Sequence, residues 1–125
     1  MIVLLADTSI WADHFRAPDP LMRQMLAHER VRMHPYVLGE LCMGNLYRRP
    51  EAVEYLRALH LVAAVSDDEV MQMVEQGKLY GSGLSWVDAH LLTAVVLSPG
   101  LKLWTRDRRL NEAAIRFDRA AALHH

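Results

Sequence analysis

The chain opens on Ile2-Val3-Leu4-Leu5-Ala6, an unbroken apolar run that stops at Asp7. A run this short and partly β-branched predicts a strand buried on both faces. Asp7-Thr8-Ser9 follows at once and supplies capping residues for a helix carrying Ile10, Trp11 and Phe15. The pattern returns near the end of the chain. Leu101-Lys102-Leu103-Trp104-Thr105 predicts another strand, and Asp107 or Arg108 then opens a helix through Leu110, Ala113, Ala114 and Phe117. Strands that alternate with helices across short turns define an α/β fold, with an α/β/α sandwich around a central parallel β-sheet.

Between these ends the periodicity predicts a helix over 21–27, a short strand at Val31-Arg32-Met33, and a helix with Pro35 at its first position. That helix is expected to carry Val37, Leu38, Leu41, Cys42 and Leu46 and to end before Pro50. A helix over 51–60 comes next, and the apolar segment 61–65 reads equally as strand or loop. Ser66-Asp67-Asp68-Glu69 is a capping box ahead of a helix with Val70, Met73 and Val74 on one face. Gly77, Gly81 and Gly83 mark a turn region before the most apolar helix, over 86–97, which Ser98-Pro99-Gly100 ends.

Composition adds exclusions. With 125 residues, 52% of them hydrophobic, and a formal net charge of -1, residues 1–125 read as one domain and not as a disordered chain. No stretch approaches the ~20 apolar residues of a membrane span. Met1-Ile2-Val3 lacks the basic start of a secretory signal. The lone Cys42 rules out an internal disulfide framework and suits a reducing cytoplasm. A balance of 14 Lys+Arg against 15 Asp+Glu argues against a general nucleic-acid coat. The closing His124-His125 reads as a tail or a tag remnant.

Four of the 15 acids stand in apolar surroundings. Asp7 ends the first run, Glu40 lies within Val37-Leu38-Gly39-Glu40-Leu41-Cys42, Asp88 within Trp86-Val87-Asp88-Ala89-His90-Leu91-Leu92, and Asp107 follows the strand at 101–105. Three have an ordinary alternative, since Asp7 and Asp107 suit N-caps and Ser85-Trp86-Val87-Asp88 has capping-box spacing. Glu40 has none, and the small Gly39 and Gly44 beside it would let another segment or a ligand approach the backbone closely. Asp7 and Asp107 both follow strands, and ligands of open α/β sheets gather at strand carboxyl ends. Carboxylates gathered there repel by about 4 kcal/mol per pair at 4 Å and an effective dielectric of 20, unless a cation lies between them. An oxygen-only donor set selects a hard ion, Mg²⁺ or Mn²⁺, whose open positions suit substrate phosphates. The chemistry expected of such a centre is phosphodiester hydrolysis.

Leu5-Ala6-Asp7-Thr8-Ser9-Ile10-Trp11, Leu38-Gly39-Glu40-Leu41, Trp86-Val87-Asp88-Ala89-His90-Leu91-Leu92 and Leu103-Trp104-Thr105-Arg106-Asp107-Arg108-Arg109-Leu110 resemble, in order, the motifs of PIN-domain ribonucleases. The similarity is greatest to VapC-type toxins of bacterial toxin–antitoxin pairs. It implies an acidic quartet of Asp7, Glu40, Asp88 and Asp107, with Asp7 and Asp88 the first choices as metal ligands and Glu40 and Asp107 the second. It implies Thr8, Ser9 and Thr105 as polar supports, and Mg²⁺- or Mn²⁺-dependent cleavage of RNA. A homodimer and a VapB-type antitoxin partner are implied with them.

Six bases lie between Lys102 and Arg119 against three acids, whereas segment 51–75 has six acids and one base. Arg106, Arg108 and Arg109 flank Asp107 and are expected to hold phosphates. Trp11, Trp86 and Trp104 are expected in the core, the seven Met as core or interface filler, and His90 in a structural role. A phospho-receiver domain needs an acceptor Asp ending a central strand, where the middle of this chain offers only Glu51 and Glu54, and a dehalogenase-type phosphatase needs Asp-x-Asp, which Asp7-Thr8-Ser9 breaks. The remaining alternative is a PIN-like domain that binds RNA or a partner without cutting, its acids serving as caps.

Overall fold

A computed structural model describes residues 2–123; His124-His125 lie outside the described residues. Three strands form a parallel sheet: β1 (Val3–Ala6), β2 (Val31–Arg32) and β3 (Leu101–Trp104), in the order β2-β1-β3. The helices are α1 (Thr8–Arg16), α2 (Pro20–Ala27), α3 (Pro35–Cys42), α4 (Arg49–Ala58), α5 (Asp67–Gln76), α6 (Trp86–Leu97) and α7 (Arg108–Arg116). β1 is central because its side chains are apolar on both faces: Leu4, Leu5 and Ala6 are fully buried. It pairs with Val31 and Arg32 on one side and with residues 101–104 on the other. Around it α1 packs with α3 and α3 with α4, while α6 packs with α5 and α7, and α6 and α7 pack against β3.

The expected elements are present, and the clearest difference is at the end of α3. α3 ends at Cys42, four residues short of Leu46, because Met43 and Gly44 already bond back to Gly39 O and Leu41 O. Segment 61–65 forms neither helix nor ladder; Val62 N–H meets Met33 O at 2.9 Å, and Met33 and Leu61 share one parallel bridge. The backbone at Gly39 stays open, since a Cβ there would meet nothing within 4 Å, and no other segment of the described residues uses that room. Among the tryptophans, Trp11 and Trp104 are core, but Trp86 is 41% exposed. Of the methionines, Met22 and Met33 are buried while Met43 and Met71 face solvent.

A ring cluster joins α3 to α6. Buried His34 caps α3, its Nδ1 accepting from Tyr36 N–H at 3.0 Å. The His90 ring lies 6.2 Å from His34, 4.7 Å from Tyr36 and 4.9 Å from Trp86, each pair near perpendicular. His90 Nε2 reaches Asp67 Oδ1 of α5 at 3.1 Å. Burial, reinforced by the neighbouring His90, lowers the His34 pKa to about 4.

Unfolded His34 takes up a proton near its ordinary value of 6.5, and the folded chain resists that proton down to about 4. His34 therefore draws stability away as the pH falls from 6.5 toward 4, and has no effect above that window. Urea unfolding should show His34→Asn, which keeps a capping acceptor, losing about 2 kcal/mol less than the unsubstituted chain between about pH 8 and pH 5.

Candidate active site

Asp7 stands at the carboxyl end of β1 and is the one buried carboxylate among the described residues. Its Oδ1 caps α1 by accepting from Ser9 N–H at 3.0 Å and Ile10 N–H at 3.3 Å. The same oxygen takes the Ser9 hydroxyl at 2.5 Å, and Oδ2 takes the Thr105 hydroxyl. These bonds stitch the end of β3 to the end of β1. Asp7 N–H donates to Trp104 O at 3.0 Å, Arg106 N–H to Ser9 Oγ at 2.9 Å, and Asp107 N–H to Thr105 Oγ1 at 2.9 Å. Burial raises the Asp7 pKa despite the four donors that pull it down. The desolvation of its charge outweighs its hydrogen bonds.

The other three expected acids are placed differently. Asp107 caps α7 through Leu110 N–H at 2.9 Å, and the Thr105 hydroxyl lies between it and Asp7. Glu40 is exposed on α3, with Oε1 accepting from the Thr8 hydroxyl at 3.2 Å, one residue along from Asp7. Asp88 completes a capping box with Ser85 at the start of α6; Ser85 N–H donates to its Oδ2 at 3.0 Å. Hydrogen bonds thus link Asp7 to Asp107 through Thr105, while Glu40 is bonded to Thr8, the chain neighbour of Asp7. Among the described residues no such bond reaches Asp88, although α3 and α6 meet at the ring cluster. Nor, among those residues, do three His, Cys, Asp or Glu side chains converge so as to hold a metal ion jointly. The donor set is oxygen alone, and Asp88 Oδ1, Asp107 Oδ2 and Glu40 Oε2 accept no hydrogen bond from described residues. Magnesium needs only one or two carboxylates and its own waters, so these residues fit that ion without a closed cage.

The three arginines beside Asp107 divide. Arg106 turns back to Asp13 at 3.0 Å and to Asp19 at 3.3 Å, tying the end of β3 to α1 and the start of α2. Arg108 pairs with Glu112 at 3.0 Å on exposed α7. Arg109 forms no ion pair among the described residues and lies over Gly83. Two features have no counterpart in the sequence reading: Asp13, whose partner is 93 residues away, and the joint formed by His34, Tyr36, Trp86 and Asp67. The apolar neighbours of His34 and His90 were the only signal for that joint.

The chain belongs to the PIN-domain family, whose PIN domain model matches residues 4–116. Within that family it is of the VapC type. It is 40% identical over 111 residues to Ribonuclease VapC32 from each of two strains of Mycobacterium tuberculosis, an alignment covering 89% of this chain and 90% of that protein.

Because burial disfavours the Asp7 charge, Asp7→Asn keeps the capping acceptor and removes the desolvated charge. In EDTA at neutral pH its Tm should match or exceed that of the unsubstituted chain by about 2–5 °C, followed by circular dichroism. A fall of that size would mean that the charge holds the fold together.

Proposed function

We propose that this chain is an endoribonuclease, the toxin of a type II toxin–antitoxin pair, which hydrolyses phosphodiester bonds of a structured cellular RNA. One structural observation carries the reading: a buried carboxylate, Asp7, stands at the carboxyl end of a central parallel strand, supported by the Ser9 and Thr105 hydroxyls. Burying a carboxylate costs free energy unless hydrogen bonds or a cation offset it, and such groups concentrate at functional sites. The 40% identity to a ribonuclease of the same type supports it from the sequence side.

Asp7 and Asp88 would hold Mg²⁺, or Mn²⁺, directly, with Glu40 and Asp107 completing the site. When bound, the ion supplies charge neutralisation at the scissile phosphate and an acidified water. Thr105 fixes Asp7 and the backbone of Asp107 at once, and Thr8 orients Glu40. The unbonded oxygens of Glu40, Asp88 and Asp107 remain available as acceptors for water. Ser9 locks the first turn of α1 to the Arg106 backbone, so that both strand ends move as one. Arg108 and Arg109 bind substrate phosphates, and Arg106 positions the loop through Asp13 and Asp19. A homodimer and a VapB-type antitoxin are the expected partners. Exposed Met43, Tyr47 and Ile115 supply apolar surface for such contacts. The absence of a helix long and apolar enough to span a membrane, among the described residues, and the single free Cys42 accord with a cytoplasmic site of action.

A second reading has its own support. Three of the four acids cap helices and, among the described residues, no three acids converge, as in a PIN-like domain that binds RNA or a partner without cutting. Cleavage decides between the two. The purified chain, free of antitoxin, should cut a structured RNA with Mg²⁺ or Mn²⁺, stop in EDTA, and lose at least about 100-fold in rate as Asp88→Asn. Binding without cleavage, or wild-type cleavage by Asp88→Asn, would favour the second reading.

A further inference from the structure

Between α7 and the loop 77–84 lies a cavity of about 210 Å³ whose lining includes Lys78, Ser82, Arg109, Glu112 and Arg116. Its three cations face a single carboxylate, and Glu112 is already paired with Arg108. Lys78 and Arg109 form no ion pair among the described residues. Their availability is built into the backbone. Gly83 has φ of 88°, and a Cβ there would overlap Nη1 of Arg109 and stand 3.0 Å from its Cζ. Only glycine lets the guanidinium lie across that loop. Lys78 itself takes the left-handed conformation, φ 53°, at the turn after α5. The loop is held by Ser82 Oγ, which donates to Leu79 O at 2.5 Å and accepts from Leu84 N–H at 3.3 Å. Arg116 donates to Gly77 O and stacks on Phe117 at 4.7 Å, so its charge is fixed at the rim.

We infer that this cavity is a phosphate subsite for the RNA strand, with Lys78 and Arg109 as its cationic contacts and Arg116 at its edge. The assignment rests on the ribonuclease reading and extends it to residues outside the acidic centre. A cavity with spare positive charge, one of its arginines lying over a glycine, is complementary to a phosphodiester backbone. Its position joins it to the proposed centre. Arg109 lies two residues beyond Asp107, and the loop leads directly into Ser85, the cap of the helix that carries Asp88. Phosphate contacts carry no sequence information, so the subsite sets affinity and register, not the choice of base.

The test is RNA binding in EDTA, where cleavage does not intervene, by fluorescence anisotropy of two unrelated single-stranded oligoribonucleotides across a salt series. Lys78→Ala/Arg109→Ala should weaken both RNAs alike and flatten the salt slope by about 1.4, since each phosphate no longer neutralised removes about 0.7. Arg23→Ala/Arg57→Ala, with the same loss of charge, should leave the slope unchanged. Gly83→Ala keeps every charge but displaces Arg109, and should reproduce about half of the flattening. If the substituted chain is destabilised, the Lys78/Arg109 pair on the surface still decides. Inorganic phosphate at matched ionic strength should displace RNA only weakly; strong displacement that disappears in Lys78→Ala/Arg109→Ala would overturn the strand subsite in favour of a free-anion site. An unchanged slope in that variant, with Mg²⁺-dependent cleavage intact, overturns the subsite and leaves the ribonuclease reading standing. Absence of both RNA binding and cleavage in the unsubstituted chain overturns the ribonuclease reading itself.

Discussion

The Asp7 carboxylate is bonded from three directions, and the geometry around the proposed centre depends on it. Its own helix supplies two N–H donors and the Ser9 hydroxyl, while the far strand supplies Thr105. Through these bonds β1, α1 and the segment after β3 share one fixed junction. That junction is assembled from residues 98 positions apart in the chain. Folding takes the charge out of water, and burial raises the Asp7 pKa because the donors compensate only in part. A carboxylate kept under such conditions binds a cation more strongly than one in water, because the ion restores what burial removes.

The chain's near-neutral total conceals an ordered distribution of charge. Asp13 and Asp19 neutralise Arg106, Glu112 neutralises Arg108, and Lys102 and Arg119 bond to the main-chain carbonyls of Asp118 and Val95. Arg109 and Lys78, neither in an ion pair among the described residues, line one cavity together. Cationic side chains at the start of α7 oppose its dipole; the Glu112 pair offsets this for Arg108, whereas Arg109 has no such partner among the described residues. A selective nuclease needs a few such positions, not a basic coat.

The strands were legible because their signal is local. β1 and β3 are short apolar runs followed by polar caps, and three of the four acids are where capping chemistry puts them. An apolar sequence neighbourhood marked a buried acid only at Asp7. Glu40 is exposed, and Gly39 makes no close contact, since a helix face with apolar neighbours need not be an inner face. The end of α3 was overrun because no proline marks it; turn bonds to Gly39 O and Leu41 O close it instead. Trp86 misled as core because the chain does not show that its ring stacks edge-on against His90 at the surface, beside Tyr36. Long-range pairing, as between Arg106 and Asp13, leaves no trace in local sequence.

In the proposed site a divalent ion on Asp7 is the partner that makes its burial worthwhile. Isothermal calorimetry with Mn²⁺ on the antitoxin-free chain tests this most directly. The unsubstituted chain should bind Mn²⁺ saturably, and Asp7→Asn, folded by circular dichroism, should bind it more than about tenfold more weakly. Equal Mn²⁺ affinity in the two chains, or no saturable binding in either, would contradict the account.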